Sequence, residues 1–124
     1  MTETIIISSA SELRRTVADV MLRIREREEL TTEKEYNIRL CLRELLSNSL
    51  IYSGCQRIKF VYELADNSFS FSVMDRGEGF HAENTTQCPD VYSEGGRGIF
   101  LVRKLADVVR YNKKGTAVIV RFYY

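Results

Sequence analysis

Ile58-Lys59-Phe60-Val61-Tyr62-Glu63-Leu64-Ala65-Asp66-Asn67-Ser68-Phe69-Ser70-Phe71-Ser72-Val73-Met74-Asp75 is the stretch that decides the architecture. Ile58, Phe60, Tyr62 and Leu64 alternate with Lys59, Val61 and Glu63; Phe69, Phe71 and Val73 alternate with serines. A period of two puts each apolar set on one face of a strand, and Asp66-Asn67 suits a tight reversal. The spacing predicts a β-hairpin with one buried face, ending at Asp75.

Working outward toward the N-terminus, the period lengthens. Thr32 and Glu35 stand at capping-box spacing, and Ile38, Leu42, Leu45 and Leu46 follow at helical spacing, with Tyr52 near the end and Gly54 where a helix would stop. Ser9 and Glu12 open an earlier helix in the same way, and Leu13, Val17, Val20, Met21 and Ile24 carry it to about Glu29. Ile5-Ile6-Ile7 reads as a short strand. Beyond the hairpin, a polar, glycine-bearing stretch runs from Arg76 to Gly98. A helix over Ile99 to Ala106, a strand over Val108 to Tyr111 and a last strand over Thr116 to Tyr124 follow, the two strands joined through Lys113-Lys114-Gly115. No repeat, low-complexity tract or linker interrupts this order. It predicts a single domain over residues 1–124 of the α+β class. The expected fold is a two-layer sandwich with a mixed, mostly antiparallel sheet covered by three helices.

Composition narrows the function. The chain has 124 residues, 44% of them hydrophobic and 28% charged, within the range of soluble globular proteins. Lys and Arg number 18 against 17 Asp and Glu, a formal charge of +1, so there is no general electrostatic footprint for nucleic acid or an anionic membrane. Arg23, Arg25 and Arg27 are interleaved with or followed by Glu26, Glu28 and Glu29, which reads as a solvated helix face and end. Cys41, Cys55 and Cys88 form no CxxC, and with His81 the single histidine they do not suggest a zinc site. Free thiols point to a reducing, cytoplasmic setting. Nothing at Met1-Thr2-Glu3-Thr4 resembles a signal peptide, and the apolar runs are too short to span a bilayer.

Three segments carry chemistry. In Glu44-Leu45-Leu46-Ser47-Asn48, Glu44 and Asn48 lie one helical turn and about 40° apart, beside the apolar stripe. A partly buried carboxylate next to a neutral oxygen donor suits a general base beside a hard-cation ligand, although such a pair also occurs on ordinary solvated faces. In Asp75-Arg76-Gly77-Glu78-Gly79-Phe80, a carboxylate at a strand end can accept from an exocyclic amino group. Adenine presents one at its six-position; guanine presents a carbonyl there, which leaves the carboxylate unpaired. The glycines allow backbone angles that a Cβ forbids, as they do in any tight turn. Gly95-Gly96-Arg97-Gly98 leads into Ile99-Phe100-Leu101-Val102, so free N–H groups and the positive helix end point at whatever precedes them. That arrangement suits an anion, and it equally suits a loop hinge. Its spacing matches neither GxxxxGKS/T nor GxGxxG. His81 to Glu94, between the second and third segments, is long enough to serve as a lid.

Taken in order, a helix with ExxxN, a hairpin ending in DxGxGF, a lid and GGxGIFL opening a helix resemble the Bergerat-fold (GHKL, histidine-kinase-like) ATPases. Glu94 to Asp107 looks most like the corresponding segment of the anti-sigma-factor serine/threonine kinases. The resemblance implies ATP and Mg²⁺ as cofactors. It implies Glu44 as catalytic base and Asn48 as the magnesium ligand. It places Asp75 on adenine, with Gly77 and Gly79 shaping that pocket. Gly96 and Gly98 would let backbone amides reach the phosphates, with Gly95, Arg97 and Ile99 beside them in the nucleotide site, although Arg97 reads equally as a solvated lid residue. Thr116 would support Asp75. Tyr52 stands where those kinases often have His, a position at which sensor kinases carry Tyr. The implied function is an Mg-ATP-dependent kinase that phosphorylates an anti-sigma-factor antagonist and sequesters a sigma factor, with a homodimer possible through the Ile5-Ile6-Ile7 edge. The alternatives are a non-kinase ATP-binding switch module and a detached ATP-binding subunit of a histidine-kinase-like system.

Overall fold

A computed structural model describes residues 1–52, 57–75, 101–112 and 116–124. The chain runs β1 (Thr2–Ile7), α1 (Ala10–Arg27), α2 (Thr32–Tyr52), β2 (Ile58–Ala65), β3 (Ser68–Asp75), a helical segment α3 at residues 101–105, β4 (Val108–Tyr111) and β5 (Ala117–Tyr123). The strands form one five-stranded sheet in the order β1-β2-β3-β5-β4. Expected to be mixed and mostly antiparallel, the sheet is antiparallel at every described pairing. The fold is the α+β two-layer sandwich.

Alternation sorts the sheet into two faces. Ile7, Ile58, Phe60, Tyr62, Leu64, Phe69, Phe71, Val73, Val118, Val120 and Phe122 are buried beneath the helices. Lys59, Glu63, Ile119 and Arg121 point the other way and are exposed. Aromatic rings form the centre of the inner face: Phe60 stacks on Tyr62 at 5.6 Å between centroids, and Phe69 and Phe71 lie 5.7 Å apart. The hairpin turn is the expected Asp66-Asn67, with Asn67 at φ 61°. Asn is among the few residues that take that left-handed position at little cost.

The helices are placed by a few specific contacts. Ser9 caps α1, its side chain accepting from the Glu12 amide, but Glu12 returns to the backbone N–H of Ser8 and its hydroxyl, one residue before the expected partner. The cap of α2 also differs from expectation. Thr31, not Thr32, accepts from the Lys34 amide, and Glu35 leaves the cap to pair with Arg25 of α1 at 2.9 Å. α1 ends at Arg27, two residues short of Glu29. Arg23 pairs with Glu3 and Arg27 with Asp66, so these arginines reach neighbouring elements while staying solvated. Glu3 also accepts from the hydroxyl of its register partner Tyr62, tying α1 to the first two strands. On the far side, Val102 of α3 is buried, and Arg103 lies over the Tyr111 ring of β4. No helix among the described residues is long and apolar enough to cross a membrane.

Candidate functional site

Two anchors fix the direction of α2 relative to the hairpin. Arg27 Nη2 lies 3.1 Å from Asp66 Oδ1, and the Asn67 amide donates to Glu28. The α1–α2 connection therefore sits at the β2–β3 turn. From that end α2 and β3 both start, run the same way and pack on each other. At about 1.5 Å per helical residue and about 3.3 Å per strand residue, Asn48 and Asp75 lie at nearly the same height, about 24 Å and about 23 Å from the starts of their elements.

Orientation follows from helical phase. Leu42 and Leu46 are buried, and Glu35 on that side reaches α1. Glu44 and Asn48 lie on the opposite flank of α2, half-buried, at the border between the core position Cys41 and the exposed Ile51. Burial chiefly, and the Glu44 carboxylate secondarily, push the Cys41 thiol up to about 12. Glu44 thus borders the buried side of the helix at Cys41. Asn48 is more unusual. Its Nδ2 is buried and has no hydrogen-bond partner among the described residues, a state that costs about 1–3 kcal/mol.

Asp75 closes β3. It is the register partner of Ile58, whose side chain is buried, so Asp75 faces the helix layer. Its amide donates to the Thr116 carbonyl at 2.9 Å, extending the β3–β5 ladder by one bond. Thr116 is held in turn by Asn112: Asn112 Oδ1 accepts from the amides of Thr116 and Ala117, and Nδ2 donates to the Thr116 hydroxyl. Sequence reasoning missed Asn112. Its signal was an Asx residue directly before the sequence Lys113-Lys114-Gly115, a position where such side chains organise neighbouring amides.

Of the sequence-expected site, then, Glu44 and Asn48 share one helix flank, and Asp75 and Thr116 are bonded neighbours at the matching end of the sheet. Gly77, Gly79, Gly95, Gly96, Arg97, Gly98 and Ile99 lie outside the described residues, as do His81, Cys55 and Cys88. A family model of the histidine kinase-like ATPase domain matches residues 7–122, from the last residue of β1 to the penultimate residue of β5. The chain belongs to that family. No curated protein matches it. As a histidine kinase-like ATPase domain it binds ATP, and its fold class is that of an ATP-using enzyme.

Proposed function

We propose that this ATPase domain is an Mg-ATP-dependent serine/threonine protein kinase of the cytoplasm that phosphorylates an anti-sigma-factor antagonist and sequesters a sigma factor. The observation that carries the reading is the Glu44–Asn48 pair: a carboxylate on the border of the core, one turn from an amide whose Nδ2 has no partner among the described residues, with Asp75 at the end of β3 brought to a similar height by the lengths of α2 and β3. The motifs from Glu94 to Asp107 supply the subfamily by resemblance.

The residues present fit a magnesium ion. No group of three or more His, Cys, Asp or Glu forms a metal cage among the described residues. Magnesium needs none, because it commonly takes one or two protein ligands and completes its shell with water and phosphate oxygens. A half-turn of the Asn48 amide puts Oδ1 where the unpartnered Nδ2 now stands. When bound there, the ion would neutralise charge developing on the phosphates.

The chain's own residues do the rest. In this reading Asp75 accepts from the amino group of adenine, its backbone fixed by Thr116, and Gly77 and Gly79 leave room for the base. Gly95, Gly96, Arg97, Gly98 and Ile99 hold the phosphates. Glu44 takes the proton from the serine or threonine hydroxyl as its oxygen bonds to the γ-phosphorus. The bond from that phosphorus to the bridging oxygen breaks, and ADP leaves. A positioned base contributes about 10²–10⁴-fold to such a step.

The deciding experiment incubates the protein with labelled ATP and candidate antagonist proteins. Label on serine or threonine supports the kinase. ATP binding with no label transferred selects the reading of an ATP-binding module that sequesters its partner without phosphorylating it.

A further inference from the structure

A surface helix ordinarily turns a polar face to water. α1 largely does so, exposing Arg14, Arg15, Asp19 and Glu26, with Leu22 its single exposed large apolar side chain. α2 does not. Tyr36 is 58% exposed and Ile51 is 53% exposed, and half-buried Leu40 lies between them on the same outer face. By helical phase Tyr36, Leu40, Arg43, Ser47 and Ile51 fall within an arc of about 80°, extending about 22 Å along the axis. Two cations border the apolar positions, Arg43 within the stripe and Arg39 on its α1 side, and neither makes an ion pair with any described residue.

This stripe ends where the candidate site begins. Glu44 follows Ile51 by about 20° around the helix, and Asn48 lies further in the same direction. Glu44 therefore has the nucleotide side of α2 on one hand and the outer stripe on the other. A protein whose hydroxyl reaches Glu44 has to lie over adjacent surface, and a specific protein contact covers about 800 Å² per partner. Exposed aromatic and aliphatic groups beside unpaired arginines suit a partner with an apolar patch flanked by carboxylates.

We propose that the outer face of α2, through Tyr36, Leu40, Arg39, Arg43 and Ile51, is the docking surface for the protein substrate, and that the substrate meets it with an acidic, partly apolar surface. The proposal rests on the kinase reading. It divides the labour of one helix: the inner flank handles the nucleotide and the outer stripe the protein.

Phosphotransfer kinetics with an antagonist protein as substrate test it. For Arg43→Glu and for the double variant Tyr36→Ala, Ile51→Ser, the KM for the antagonist rises about tenfold or more, while kcat stays within about twofold. The wild-type KM rises with ionic strength, and Arg43→Glu flattens that dependence. Arg110→Glu, on the uncovered face of the sheet, keeps the wild-type KM. Unchanged KM and salt dependence in both α2 variants, with wild-type transfer intact, overturn the docking surface and leave the kinase standing. Absence of transfer by the wild type to any antagonist overturns the kinase, and the docking surface with it.

Discussion

Asn48 is a stability defect on the apo protein and an asset only when something binds. Replacing it with Leu removes a buried, unpaired amide, so we expect apo stability to rise by about 1 kcal/mol in denaturant unfolding while magnesium-dependent ATP binding is lost in a titration. Glu44→Gln is the complementary change. It keeps the hydrogen-bonding shape but not the basicity, so Mg-ATP affinity is expected to hold and labelled phosphate to stay on ATP; full phosphorylation by that variant would remove Glu44 from the mechanism. Cys41 behaves as an inert core group. Its thiol stays protonated in the folded protein up to about 12, against an ordinary value of 9.0. The folded state therefore holds a proton that the unfolded state gives up. The resulting stability is fully present below pH 9.0 and is lost as pH rises toward about 12. Burial acts on Tyr111 in the same direction. Cys41→Ala is expected to flatten the alkaline fall in unfolding midpoint, and iodoacetamide at neutral pH to label Cys41 only after denaturation.

At the scale of elements, the two helix caps show what a linear pattern can and cannot specify. Thr31 and Thr32 have the same capping chemistry, and only Thr32 has a Glu three residues on, so spacing favoured Thr32. The structure instead spends Glu35 on Arg25 across the helix pair, and Thr31 takes the cap. Thr31→Ala should cost about 1 kcal/mol in thermal or denaturant unfolding, and Thr32→Ala only a few tenths; the reverse order would contradict the observed cap. The hairpin was legible because period-two alternation and Asp66-Asn67 are local signals that tertiary contacts reinforced. The order of the strands was not. Nothing local tells β5 to pair with β3 and leave β4 at the edge, since that choice is made by Val118, Val120 and Phe122 completing the buried face beside Phe69, Phe71 and Val73.

For the molecule as a whole, the site is a consequence of direction. Because the α1–α2 connection is tied to the hairpin turn, α2 and β3 run side by side, and Asn48 and Asp75 reach one end together. Motif order singled out those two residues as candidates, whereas their common height depended on contacts at the far end, through Arg27 and Glu28. A titration with ATP and GTP tests the outcome: we expect a preference for ATP that disappears in Asp75→Asn, and equal affinity of the wild type for both bases would refute the pocket. The bond from the Asp75 amide to the Thr116 carbonyl lies between β3, the middle strand of five, and β5. It is the last bond of its ladder, at the end of the strand, so the amide is expected to exchange with solvent deuterium by local fraying before the sheet itself comes apart. In the proposed pocket, the preference for ATP over GTP is then expected to weaken on warming before the fold melts, so that the choice of nucleotide is less heat-resistant than the protein.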